Sequence, residues 1–180
     1  MKHILIVMGS VRSGRAADAV LSQVQDELKN YPNLEAAVVD FAKTPLPFFD
    51  ADSSPATEGF VPTDKNVIAW TEQVNEADVV VVLTPEYNHS YTPVLKNAID
   101  WVFGPWKDKP VAFIGYGWAG GSRAIKHLRD VFNSVIAAQP LETEANLRFT
   151  KEINLDGTAI DDQAAGAIKS VLDAVDALEI

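Results

Sequence analysis

Two short stretches hold the residue types that can do chemistry. Gly9-Ser10-Val11-Arg12-Ser13-Gly14-Arg15 follows an apolar run and leads into a helical pattern that starts near Ala16. Small residues there let the backbone amides turn toward one point, and a helix N-terminus adds unpaired N–H groups and the positive end of its dipole. An anion fits such a loop. Arg12 and Arg15 add charge-assisted donors suited to a terminal phosphate monoester, and Ser10 and Ser13 add hydroxyl donors. The same residues also suit a plainer arrangement, with Ser13 capping the helix and both arginines solvated. GxxxxGK[ST] spacing and its lysine are missing, which disfavours a nucleoside triphosphate.

The second stretch is Thr84 to Trp101, TPEYNHSYTPVLKNAIDW, directly after the apolar run Asp78 to Leu83. A buried strand that ends in Pro85-Glu86-Tyr87-Asn88 and restarts as a helix after Thr92-Pro93 can hold something flat at a sheet's edge. Pro85 stiffens the turn. A third stretch, Gly115 to Gly121, satisfies GxGxxG between a strand and a helix. The dinucleotide fingerprint belongs on the first strand of its βαβ unit, and here it ends a late strand, so the glycines are read as room beside a flat group.

Four apolar runs of strand length recur before and between these loops: His3 to Met8, Leu34 to Val39, Asp78 to Leu83 and Pro110 to Tyr116. Their Val and Ile content without polar alternation predicts burial on both faces, as in a parallel sheet. Helical periodicity fills the intervals. Ala16 to Lys29 puts Val20, Leu21, Val24 and Leu28 on one face, and Thr63 to Asn75 carries Val67, Ile68 and Val74. Tyr91 to Phe103 is a third helix. Ser122 to Ile136 is a fourth, with Ile125, Leu128, Val131, Phe132 and Val135 in register. Asp161 to Leu178 is a final amphipathic helix, and a fifth strand falls at Ile136 to Leu141 or at Asn146 to Phe149. The alternation predicts a three-layer α/β sandwich. Phe41 to Pro62, with Pro45, Pro47, Pro55, Gly59 and Pro62, is an irregular insertion, uncommon unless functional or disordered.

Bulk properties bound the function classes. One domain spanning 1–180 is expected from 180 residues with 47% apolar content. A formal charge of −10 disfavours nucleic acid or an anionic membrane as partner. With no cysteine there is no thiolate chemistry and no disulfide, so redox chemistry would need a bound cofactor. No run nears the roughly 18 apolar residues of a membrane span, and the N-terminal run has no cleavage-site pattern. A cytoplasmic location without membrane insertion is expected.

Gly9-Ser10-x-Arg12 resembles the GSxR opening of the NADPH-dependent FMN reductase family, and TPEYN with the following LKNAIDW resembles that family's flavin-ring loop. Gly115 to Arg123 is similar to its glycine-rich third loop, so the resemblance runs from the first strand to about Leu128. It departs at Arg15, where the family often has serine. The resemblance implies a flavodoxin-like fold, a five-stranded parallel sheet of order 2-1-3-4-5, and non-covalent FMN. Ser10, Arg12 and Arg15 would serve its phosphate. Pro85, Glu86, Tyr87 and Asn88 would line the ring and ribityl chain, with Gly117, Trp118 and Gly120 as ring neighbours. Glu86 is expected to orient rather than donate protons, His89 to sit on the rim, and Trp118 either to stack on the flavin or to pack. No catalytic side chain and no metal ligand is assigned.

The implied reaction is hydride transfer from NADPH or NADH to FMN N5, then reduction of a small-molecule electron acceptor in a ping-pong cycle. Quinones lead the acceptors, with azo dyes, free flavin and chromate behind. Leu46 to Asp52 resembles a family segment that packs near a neighbouring subunit's flavin, which implies a homodimer or homotetramer. Trp70, Trp101, Trp106 and the Phe48-Phe49 pair are expected in the core or a subunit contact. Two rivals remain: a non-enzymatic flavodoxin-like electron carrier, disfavoured by the charged phosphate loop, and an interaction module without cofactor.

Overall fold

The computed structural model describes residues 1–134 and 136–180. Five strands form one sheet: β1 (Lys2–Met8), β2 (Leu34–Asp40), β3 (Val79–Pro85), β4 (Pro110–Gly117) and β5 (Gln139–Arg148). The order is β2-β1-β3-β4-β5 and every neighbouring pair is parallel. The helices are α1 (Ala17–Leu28), α2 (Lys65–Glu76), α3 (Pro93–Asp100), α4 (Ser122–Phe132) and α5 (Asp162–Asp176). This is the flavodoxin-like arrangement that the resemblance implied.

Side chains alternate across the central strands with period two. Ile4, Ile6, Met8, Val81, Leu83 and Ile114 face α1 and α5. Leu5, Val7, Val80, Val82 and Phe113 face α2, α3 and α4. On that second face Trp70, Trp106, Phe132 and Phe113 meet edge to face or tilted, with centroids 5.1–6.1 Å apart. Trp70, Trp101 and Trp106 are all buried, whereas both phenylalanines are exposed: Phe49, at 36%, packs edge-on against Trp101, and Phe48 is 82% exposed.

Two expectations change at the sheet edges. β2 was expected to be buried on both faces, but Glu35, Ala36 and Ala37 are exposed because β2 has a neighbour on one side only. The two candidate positions for the last strand overlap opposite ends of one ten-residue strand, β5. Glu142 and Glu144 interrupt its apolar pattern, as an edge strand allows. The fourth helix ends at Phe132, short of the expected Ile136, and Val135 lies outside the described residues.

One side chain fastens the first loop to the third helix. Thr92, the N-cap of α3, accepts from Leu95 N at 3.4 Å and donates its hydroxyl to the Gly9 carbonyl at 2.7 Å. Gly9 has no room for a side chain, since a Cβ would lie 2.7 Å from the Leu83 carbonyl and from Leu95 Cδ1. Thr92→Val keeps the shape and removes the hydroxyl. It is expected to cost about 1–3 kcal/mol of unfolding free energy, seen as a lower urea midpoint at unchanged slope.

Candidate functional site

The loops after β1, β3 and β4 meet at the carboxyl end of the sheet. α1 packs on one face of the sheet and α3 on the other, so the chain leaves β1 and β3 in opposite directions and a crevice opens between them. Ser10 is buried in this crevice, and its Oγ lies 3.2 Å from the Tyr87 hydroxyl. Arg12 stands exposed in the turn before α1 and has no ion-pair or hydrogen-bond partner among the described residues. Ala16 caps α1 without a side-chain bond, so the first amides of that helix stay available. Ser13 is exposed and does not cap.

Arg15 takes a different part from the expected one. Its guanidinium meets Asp40 in a bidentate pair, Nη1 to Oδ1 at 2.8 Å and Nη2 to Oδ2 at 2.6 Å. Nη2 also reaches Asp18 at 2.9 Å, and Nη1 donates to the Ser10 carbonyl. The two paired side chains are 8% and 7% exposed. The bond from Arg15 holds the Asp40 carboxyl below the usual carboxylate range, and Asp40 raises the Arg15 guanidinium further. Arg15 therefore ties the first loop to the end of β2, and its charge is already balanced. An acid closing an apolar strand was the one sequence signal for this pair.

After β3 the chain makes a tight turn. Tyr87 and Ser90 exchange backbone bonds of 2.8 and 3.0 Å, and the residues between them, Asn88 and His89, have φ of 49° and 66°. Left-handed φ at both central positions defines the primed turn that fits a hairpin, and Asn and His tolerate it better than most residues. Pro85 is buried, Glu86 and Tyr87 are half-buried, and Asn88 and His89 form the exposed tip. Glu86 pairs with Arg123 at 2.5 Å and accepts from the Arg123 amide at 3.2 Å. Ser90 Oγ lies 3.0 Å from His127 Nδ1. Both contacts bind this turn to α4.

The loop after β4 stays close to the sheet. Gly120 has φ of 63°, and a Cβ there would stand 2.8 Å from that of Asn146. Gly117 has φ of 133°, and its carbonyl accepts from Gly120 and Phe149 at 3.0 Å each. Trp118 is 72% exposed and packs edge-on against Phe149, ring centres 5.7 Å apart.

The irregular insertion is pinned from α3. Asn97 Nδ2 and Trp101 Nε1 both donate to the Pro47 carbonyl, at 2.8 and 2.9 Å, and Phe49 N donates to Asn97 Oδ1 at 2.8 Å. Between insertion, first loop and α3 lies a cavity of about 590 Å³, mostly apolar, with Arg12 and Tyr87 where it joins the crevice and Phe48 in its wall. Asn97 and Trp101 lie in the second stretch, but nothing in their types announced this contact.

The fold and its loops define a flavodoxin-like protein with an anion-friendly loop and an open shelf beside it. Comparison with known proteins narrows this: the profile of the NADPH-dependent FMN reductase family matches residues 2–151. The chain belongs to that family. It is 34% identical over 128 residues to an NAD(P)H-dependent FMN reductase of Schizosaccharomyces pombe, a match covering 71% of this chain and 64% of the yeast protein. An NAD(P)H:quinone oxidoreductase of Solanum tuberosum is 32% identical over 180 residues, covering 96% of this chain and 90% of that protein. In fold it matches the NAD(P)H:acceptor oxidoreductase FerB of Paracoccus denitrificans, with a TM-score of 0.78 at 24% identity over 98% of this chain and 96% of that one.

The residues present fit FMN. A half-buried crevice offers Ser10, unpaired Arg12 and the free start of α1 to a phosphate, and the turn after β3 stands beside it through the Ser10–Tyr87 contact. Among the described residues no helix is long and apolar enough to cross a membrane, and no cluster of acids and histidines could hold a metal ion.

Removing one partner of the buried Arg15–Asp40 pair strands the other charge. Arg15→Ala is expected to cost about 3–5 kcal/mol, and the double variant Arg15→Ala/Asp40→Ala less than the sum of the single losses. The pH dependence has a definite sign. Asp40 is depressed in the folded protein, so its contribution is complete above the unfolded carboxyl value of 3.8 and disappears as pH falls through the lower folded value. Urea titrations of wild type and variants between neutral and acid pH should show the gap between them closing on the acid side.

Proposed function

We propose that the chain is an FMN-dependent NAD(P)H oxidoreductase that reduces a quinone or a similar flat acceptor. The observation that carries this reading is the meeting of the GSxR loop and the PEYN turn, with Ser10 and Tyr87 in contact, at the switch point of the sheet. FMN, held by these loops, would supply the redox chemistry of a ping-pong hydride transfer from NAD(P)H to the acceptor. The chain's own residues bind, orient and space.

Ser10, Arg12 and the amides at the start of α1 hold the phosphate. Arg12 is the cation for this task, because the charge of Arg15 is matched by Asp40. Pro85 to Asn88 line the ring and ribityl chain. The turn is held open by its bonds to α4, so amides rather than side-chain acids meet the ring edge. Glu86 orients Arg123 and is not a proton donor. Gly117 leaves open space on the other side, Gly120 holds the loop tight against Asn146, and exposed Trp118 stands ready to cover a bound ring.

A flat apolar acceptor suits the apolar cavity beside the crevice, where Phe48 is exposed. The names of the potato and Paracoccus relatives support acceptor reduction. The exposed Phe48 on a loop pinned by Asn97 and Trp101 supports a homodimer or homotetramer, as does the resemblance of this segment to the family's subunit contact. A cytoplasmic site of action agrees with the sequence.

The test begins with colour. Protein mixed with FMN and desalted should stay yellow and bleach on anaerobic addition of NADPH, and the reduced protein should be reoxidised by a quinone. Retained colour without rapid bleaching would instead support an electron carrier, and a colourless product would leave only the fold. Arg12→Ala is expected to weaken FMN about tenfold or more and riboflavin little, as loss of a charge-assisted phosphate contact requires. Equal losses for both ligands would remove Arg12 from the phosphate site.

A further inference from the structure

Three buried side-chain polar atoms among the described residues lack a hydrogen-bond partner: Gln23 Oε1, Trp106 Nε1 and Tyr116 Oη. Gln23 uses its amide nitrogen on the carbonyls of Ala19 and Gly157. Trp106 lies in the apolar core on the α2 side of the sheet. Tyr116 differs in its place. It is the penultimate residue of β4, in register with Pro85 on one side and Leu147 on the other.

Tyr116 is 3% exposed and packs in the cluster that contains Met8, Ala16 and Ala17, which are the end of β1 and the start of α1. The phenol thus lies beneath the first loop. Burial pushes it well above the usual phenol range, and Tyr87, Arg15 and Asp18 act on it through charge. The Ser10 hydroxyl bears on the phenol oxygen as a donor outside ordinary bond geometry, which leaves the phenol's own O–H without an acceptor. It stays a neutral donor at any pH the protein meets. A buried donor with no acceptor costs stability in the free protein, and native structures rarely keep one without a use.

We infer that Tyr116 is a phosphate-binding residue, whose buried and unpartnered hydroxyl donates from below to a phosphate monoester held by Ser10, Arg12 and the start of α1. The inference rests on the FMN reading, because FMN carries such a monoester and riboflavin does not. Three kinds of support would then converge on one anion: a free guanidinium from the exposed side, helix amides along the axis, and hydroxyls of Ser10 and Tyr116 from the sheet side. Tyr116 makes its contribution without adding charge.

Tyr116→Phe deletes one oxygen and nothing else. Expected are an FMN dissociation constant raised about tenfold, the scale of one hydrogen bond to a charged group, and a riboflavin constant changed less than twofold. Inorganic phosphate should compete with FMN correspondingly less well. The cofactor-free variant should melt at the same temperature as wild type or higher, because it loses a buried donor that has no acceptor and no bond of ordinary geometry. That combination separates ligand binding from a structural role. An unchanged FMN constant would overturn the inference, as would equal losses for FMN and riboflavin with a lower melting temperature. A wild-type protein that binds inorganic phosphate, sensitive to Tyr116→Phe, yet takes up no FMN would keep the hydroxyl's role and refute the FMN reading.

Discussion

Everything at the functional end of this molecule follows from one constraint: all strands of the sheet are parallel, so every strand delivers its carboxyl end to the same edge. Placing β1 between β2 and β3 then sends the chain to opposite faces from neighbouring strands. A crevice at that point cannot be closed by the backbone that makes it. The loops on its rim need support of their own, and most of the polar side chains around it provide that support.

The supports are short and specific. Thr92 bridges α3 to Gly9, and Arg15 bridges the first loop to Asp40 at the end of β2. Glu86 and Ser90 tie the turn after β3 to α4. Each of these residues is a natural suspect for chemistry when read as a type in a motif. The structure shows their polar atoms already engaged, and leaves Arg12 and Tyr116 as groups with capacity to spare. This division matters for function, since hydride transfer through a flavin asks the protein for positioning more than for acid and base.

Much of this was legible in the residues. The unbroken apolar runs of β1, β3 and β4 and the helical stripes of α1, α2 and α5 are local consequences of burial, so they located these elements to within a few residues. Thr92-Pro93 announced the start of α3 because a capping hydroxyl before a proline at the first turn is a local motif. β5 was hard to place, since at an edge Glu142 and Glu144 can face water and the apolar signal thins. The pairing of Arg15 with Asp40 was hidden for another reason: 25 residues separate them, and only the β1–β2 register brings the end of β2 beside the first loop.

The sequence by itself determined the order of elements, the two loops that can meet an anion and a flat ring, and the family. Those properties depend on neighbours along the chain, whose turn chemistry and periodicity can be read locally. Only the tertiary structure decided which charges are spent and which are free. Arg12 and Arg15 are near neighbours of one type, yet one has a buried carboxylate across the sheet edge and the other has open space, and Tyr116 reads as ordinary core until its hydroxyl is seen beneath the loop with nothing to bind. Such differences arise from contacts between residues far apart in the chain, and no local pattern encodes them.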